Sequence, residues 1–362
     1  MVSQTEGEFL VLHELVQAAK RRLDPRIWDY LVGGTETETT VARNRAALDA
    51  IAFRPRVLRD VSRVDASASF LGQRRIRLPV ALAPVGGLES LAEGGAASAG
   101  RAASEFGVPL IVSSVTQPGL EASAAATPGP KVFQLYVRGG PDFIDDHVRR
   151  AVDAGYDVFC ITVDTAHYSR RERDIARRFA KPWRARAEGM DFQAALNWSD
   201  IRRFRDRWPE VTLALKGIAT AEDAEIAVQH GVHIVYVSNH GGRQLDHGRG
   251  AIAVLPEVVA AIAGRARIWV DGGISRGSDL VKAVALGAEL VGIGRLYCYG
   301  LAAAGVAGAV RVLELLEEEA VTCLGLLGAA SFTEVGPNMV RPAEPVGRAH
   351  VHSAFPLIGE GY

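Results

Sequence analysis

The run His233-Ile234-Val235-Tyr236-Val237 passes directly into Ser238-Asn239-His240-Gly241-Gly242-Arg243-Gln244-Leu245-Asp246. A short β-branched and aromatic run with no polar face reads as a strand covered on both sides. The two glycines that follow mark its break into a turn. Just past that break stand an imidazole, His240, and a guanidinium, Arg243, three residues apart. A base beside a fixed cation suits proton removal from an anionic substrate. On its own such a pair is more often a surface turn, so its meaning depends on whether the rest of the chain repeats the pattern.

The pattern does repeat. Apolar strand candidates occur at Pro79–Ala83, Pro109–Val112, Val132–Tyr136, Val158–Val163, Thr212–Lys216, Arg267–Val270 and Leu290–Ile293. Helical spacing separates them, as in Glu93–Phe106, Asp142–Ala154, Ala221–His230 and Ser278–Leu286. Eight strands alternating with helices predict an α/β fold, a (β/α)8 TIM barrel over about residues 78–325 of one domain spanning 1–362. Ahead of it, His13–Leu23 and a second helix opened by Asp24-Pro25 form a helical lead-in. The Phe179–Asn197 stretch is a long loop after strand 4, equally readable as a lid or as a disordered insertion.

Composition narrows the function. The 362 residues carry a formal net charge of -1, which gives no bulk attraction to nucleic acid or membrane. Cys160, Cys298 and Cys323 form no CxxC pair, so neither a disulfide framework nor a metal site is expected. A reducing, cytoplasmic setting fits this usage. Met1–Leu12 lacks a basic-then-apolar leader pattern, and Glu289 and Arg295 interrupt the apolar stretch 283–309, so no membrane span is expected.

In a barrel the chemistry gathers at the C-terminal strand ends. Read in order, those ends are Pro84-Val85-Gly86-Gly87, Ser113, Gln134 with Tyr136, Thr162 with Asp164, Lys216, His240 with Arg243, Asp271-Gly272-Gly273, and Gly294-Arg295. Glycine turns with an arginine after the last two strands suit a phosphate, through exposed backbone N–H groups and a guanidinium.

This ordered set resembles the FMN-dependent L-2-hydroxy-acid oxidase and dehydrogenase family, which includes glycolate oxidase, lactate oxidase and mandelate dehydrogenase. The resemblance spans nearly the whole chain, from Trp28-Asp29-Tyr30 and Phe53-Arg54-Pro55-Arg56 through Arg170-Arg171-Glu172 and Lys216-Gly217 to Gly294-Arg295. It implies oxidation of a 2-hydroxy acid to the 2-oxo acid, with electrons passing through FMN to O2 or another acceptor. It implies His240 as base, with Asp164 raising its pKa, and Tyr136 on the substrate oxygen. Arg243, Tyr30 and Arg171 would hold the carboxylate. Pro84, Val85, Gly86, Ser113, Gln134, Thr162, Lys216 and Ser238 would face the flavin, and Asp271 the ribityl chain. Gly272, Gly273, Arg276, Gly294 and Arg295 would hold the phosphate. A homotetramer is also implied.

Gly86, Gly87 and Val115 stand where glycolate oxidases carry bulkier groups, so a substrate larger than glycolate, aryl or otherwise bulky, is expected. A different substrate on the same fold (a peptide, or a 2-oxo product decarboxylated before release) is the alternative. A non-catalytic binding barrel would leave the His240, Asp164 and Lys216 set without a purpose.

Overall fold

The computed structural model describes residues 7–179 and 189–361. Its centre is a closed parallel barrel of β1 (Val80–Leu82), β2 (Leu110–Ser113), β3 (Lys131–Leu135), β4 (Val158–Thr162), β5 (Leu213–Ile218), β6 (Ile234–Val237), β7 (Arg267–Asp271) and β8 (Leu290–Ile293). Each strand pairs with the next, and β8 closes on β1 through Val291 opposite Val80. This is the (β/α)8 barrel expected from the alternation, with strand ends within two residues of the sequence reading.

Side chains alternate along a strand, so the barrel interior follows from parity. Ala81, Ile111, Val132, Cys160, Ala214, Tyr236, Trp269 and Leu290 lie in one buried interior cluster. Two residues on, toward the C-terminal ends, the same faces carry Ala83, Ser113, Gln134, Thr162, Lys216, Ser238, Asp271 and Gly292. All eight are buried, and six are polar. The barrel therefore changes from apolar to polar within one strand repeat. At the opposite end a hairpin, Ala68–Phe70 with Arg74–Ile76, plugs the bore with Phe70 and Ile76, the Phe70 ring 6.0 Å from Trp269. The sequence reading did not anticipate this hairpin, nor the pairing of Ile51–Phe53 with Val340–Pro342.

Helices α1 (Leu12–Arg22), α2 (Pro25–Val32) and α3 (Thr39–Asp49) form the lead-in. Asp24 caps α2 by accepting from the Arg26 N–H at 2.8 Å, with Pro25 at the first position as its sequence suggests. The next helix, α3, is pinned to the barrel at both ends. Asp246, which closes the run quoted at the outset, accepts from the N–H groups of Thr37 and Thr40 at 3.0 and 2.8 Å. Its carboxyl is held well below the usual range because these hydrogen bonds outweigh the cost of burial. Farther along, Arg45 places Nη1 and Nη2 on the two oxygens of buried Asp279 at 2.7 and 2.9 Å.

Around the barrel run α4 (Gly95–Phe106), α5 (Leu120–Ala125), α6 (Pro141–Asp153), α7 (Glu172–Ala176), α8 (Met190–Ala195), α9 (Trp198–Arg207), α10 (Ala221–Gln229), α11 (Ala251–Ile262), α12 (Gly277–Ala285) and α13 (Arg295–Leu327). Helix α13 is long and apolar enough to cross a membrane, but 72% of its most apolar window is buried within the fold. It packs on α1, α4 and α12, and breaks at Ala304 and Gly305, the latter at φ +62°. The 283–309 stretch thus divides among α12, β8 and α13.

Removing one member of a buried, doubly bonded ion pair leaves an uncompensated charge, at a cost of about 3–5 kcal/mol. Asp279→Ala should therefore lower the denaturant midpoint by that free energy with an unchanged slope. A loss below about 1 kcal/mol would show that the Arg45 pair does not fasten α3 to α12.

Candidate active site

Above the polar layer lies an open cavity. Tyr30 of α2, Pro84, Val85 and Gly86 after β1, Tyr136 after β3, Arg171 after β4 and Lys216 of β5 line it. His240 and Arg243 after β6, Asp271, Gly272 and Gly273 at the end of β7, and Gly294 and Arg295 after β8 complete the wall. Ser113, Gln134, Thr162 and Ser238 lie in the buried layer at its floor.

His240 is held by three contacts. Its Nδ1 faces the Asp164 oxygens at 3.0 and 3.3 Å, its Nε2 faces the Tyr136 hydroxyl at 3.1 Å, and its N–H donates to Ser238 Oγ at 3.0 Å. A carboxylate on Nδ1 requires the proton there, which leaves Nε2 as an acceptor open to the cavity. The backbone at His240 is left-handed, φ +58°, an uncommon conformation for a side chain of this kind. Gly217, at φ +113°, makes room for the pair, because a Cβ there would sit 2.6 Å from Asp164 Cβ. Burial of the carboxyl opposes its ionisation, but His240, Lys216 and Thr165 outweigh this and Asp164 is pulled below its usual range.

The expected rise in the imidazole pKa does not occur. Burial pushes His240 down, aided by Lys216 and Arg171, and the opposing Asp164 charge does not recover it. A neutral imidazole at neutral pH results, which is the form that accepts a proton.

Arg243 lies over the Tyr30 ring, 4.9 Å from its centroid, and Nη1 donates to the Gly33 carbonyl at 2.6 Å. Burial and the neighbouring Arg171 cation push its pKa down to about 10, so it remains charged. The Tyr30 hydroxyl donates to the Gly86 carbonyl at 2.9 Å. Arg171 donates to Ser169 Oγ at 3.2 Å and lies over the Tyr168 ring. On the floor, Lys216 Nζ donates to Ser238 Oγ at 2.7 Å and lies 3.1 Å from Asp271, onto which Ser238 Oγ also donates at 2.6 Å. Burial opposes the Lys216 charge, but Asp271 and Asp164 overcome it and raise the pKa.

One assignment needs correction. Arg276 does not line the cavity: it binds Glu319 at 2.7 Å and the Ala354 carbonyl at 3.4 Å on the outer side of α12. The preceding Ser275 faces the cavity instead, with Asn44 and Arg45 of α3 beside it. The helical turn at Gly277 carries Arg276 outward, a change of one position that sequence spacing does not resolve. Arg295 does line the cavity, yet three of its N–H groups already meet the carbonyls of Leu31, Gly241 and Gly33. Sequence reasoning also missed Arg138, Gln244, Tyr299, His350 and Val351, all of which line the cavity. His350 and Val351 arrive from the C-terminal tail, 55 or more residues beyond the last barrel strand's neighbours in space, and carry no local signal.

Of the loop after strand 4, residues 180–188 lie outside the described ones, so the lid reading of that part has no structural counterpart. Its far side is fastened: Gln193 accepts from the Val137 N–H at 2.7 Å and donates to the Thr162 carbonyl at 2.9 Å.

A family model described as FMN-dependent dehydrogenase matches residues 19–342. The chain belongs to this family. Glycolate oxidase 1 of Oryza sativa subsp. indica is 38% identical over 351 residues, covering 91% of this chain and 95% of that one. Glycolate oxidase of Spinacia oleracea is 37% identical over 355 residues, covering 92% and 96%. Among solved structures, a mandelate oxidase mutant with (S)-mandelic acid superposes with a TM-score of 0.86 at 38% identity, covering 94% of this chain and all of that one. A mutant of an active chimera of (S)-mandelate dehydrogenase gives 0.86 at 34%, covering 91% and 99%. The enzyme carries out FMN-dependent oxidation of a 2-hydroxy acid.

The floor fits a flavin on physical grounds. The amide oxygen and nitrogen of Gln134 and the hydroxyl of Thr162 are fully buried and have no hydrogen-bond partner among the described residues. Buried polar atoms without partners are costly, and a flat heterocycle edge carrying donors and acceptors would satisfy all three. If a flavin edge is that partner, Thr162→Val should leave apoprotein stability unchanged or higher while weakening FMN about tenfold, read from quenching of flavin fluorescence. Loss of apoprotein stability with unaltered FMN affinity would mean that the hydroxyl serves the protein instead.

Proposed function

We propose that the cavity oxidises an L-2-hydroxy acid bulkier than glycolate, with His240 as the base and Arg243 as the carboxylate anchor. The observation that carries this is the His240 imidazole, its Nδ1 on Asp164, set in one cavity with an arginine that has no carboxylate within ion-pair distance among the described residues. Arg243 would bind the substrate carboxylate with Tyr30 and Arg171, which fixes the α-carbon near His240. His240 Nε2 would take the substrate proton, from the hydroxyl in a hydride route or from the α-carbon in a carbanion route. Asp164 would stabilise the imidazolium that results, and Tyr136 would donate to the substrate oxygen as its charge changes. Bound FMN supplies the two-electron acceptor. Lys216 would lie against the flavin edge, where its charge favours the reduced form. Gly273, Ser275, Gly294 and Arg295 would cradle the phosphate.

The small residues Gly86 and Val115, which line the cavity, support the bulkier substrate. Dioxygen or a second carrier receives the electrons, and the rate of reoxidation by air separates the two. A cytoplasmic homotetramer is our reading of the assembly, supported by the family resemblance and by three free cysteines, and gel filtration with light scattering tests its size.

His240→Ala should retain FMN yet reduce it more than about a thousandfold more slowly in anaerobic mixing with substrate, within the range for a lost acid–base group. Near-normal reduction would refute the role. For pH, only the neutral imidazole accepts a proton, and burial keeps it neutral to lower pH than usual. The acid limb of kcat/KM should thus have its midpoint below about 6.5, the ordinary imidazole value. A midpoint above 7 would contradict this.

A further inference from the structure

Arg138, two residues after Tyr136, contributes to the same cavity wall as Val115, Tyr168 and Met190. The residue is half-buried, and its Nε is buried with no hydrogen-bond partner among the described residues. Among the described residues no carboxylate pairs with it, whereas Arg150, Arg173, Arg203 and Arg265 each hold one. Tyr136 and Tyr168 are the side chains that act on it electrostatically, and burial disfavours its charge. A buried Nε without an acceptor is costly until something meets it.

The balance of charge in the cavity points the same way. Three guanidinium groups, Arg138, Arg171 and Arg243, line its substrate side, and none has a carboxylate within ion-pair distance among the described residues. Of the acids near them, Asp164 is committed to His240 and Thr165, and buried Asp174 acts on Arg243. One substrate carboxylate can satisfy Arg243 and its neighbour Arg171. It leaves Arg138 over. Val115 and Arg138 line the same cavity, so a substrate side chain held there can reach that wall.

We propose that Arg138 forms a second anion subsite, and that the preferred substrate is a 2-hydroxy acid whose side chain ends in a carboxylate or a comparable oxyanion. This rests on the reading of the site given above, with Arg243 as the anchor for the first carboxylate. The extra bulk the cavity admits is then charged rather than aryl. Arg138 would select between substrates, and His240 chemistry would be the same for each.

The test compares pairs of equal chain length on the FMN-loaded enzyme: malate against 2-hydroxybutanoate, and 2-hydroxyglutarate against 2-hydroxypentanoate. Anaerobic stopped-flow gives the dissociation constant and flavin reduction rate for each. The corresponding 2-oxo acids, followed by their perturbation of the flavin visible spectrum, report binding without turnover. We expect at least one dianion to bind about tenfold or more tighter than its monoanionic partner. Arg138→Met, which keeps the length of the stem, should collapse that ratio to about one, and Arg138→Lys should restore part of it. Equal binding of every pair by the wild type, or a dianion preference that survives Arg138→Met, would overturn the subsite. If the monoanions reduce the flavin and the dianions bind no better, this inference alone fails. If no 2-hydroxy acid of either kind reduces the flavin, the reading of the site fails first.

Discussion

Strand parity organises this enzyme. Eight parallel strands point alternate residues into one bore, and in each strand the step from one inward position to the next crosses from core to site. Tyr236 becomes Ser238, Ala214 becomes Lys216, and Trp269 becomes Asp271. The apolar layer below, plugged by Phe70 and Ile76, is buried, so the polar layer above has a packed support. A slip of one residue in any strand would exchange inward and outward faces and remove its member of the polar ring. The floor of the cavity is therefore as strongly specified as the core.

On that floor, burial does the electrical tuning. Lys216 stays charged because Asp271 and Asp164 face it in a low-dielectric layer, while His240 stays neutral because its surroundings penalise a charge more than Asp164 rewards it. The same burial leaves Gln134 and Thr162 with polar atoms that no described residue satisfies, an arrangement that suits a bound group. The lead-in helices complete the site by supplying Tyr30 and by fixing loop ends through Asn44, Asn239 and Asp246.

Much of this was legible before any coordinates. Runs that are apolar on both faces, spaced by helical periods, mark eight covered strands, and their C-terminal ends mark the site. Legible too were His240, Arg243, Asp164 and Lys216, since each stands at or just past a strand end. What escaped depends on features that have no period. Arg45 and Asn44 face inward only because α3 docks on α12 and on the loop after β6. His350 arrives from a tail with no regular spacing. Arg276 turned outward because a helix begins at the next residue, and a one-residue difference in where that helix starts exchanges its place with that of Ser275. The sign of the His240 shift also lay beyond sequence, which names the partner carboxylate but not the depth of burial.

The central claim is that the polar layer seats the flavin while Arg243 and His240 address the substrate from above it. A crystal structure of the FMN-loaded enzyme with a bound 2-oxo acid tests it most directly. The account predicts flavin edge atoms within hydrogen-bond distance of Gln134 and Thr162, the product carboxylate on Arg243, and its keto oxygen near Tyr136 and His240. A carboxylate bound away from Arg243, or a flavin that leaves Gln134 and Thr162 without partners, would contradict it.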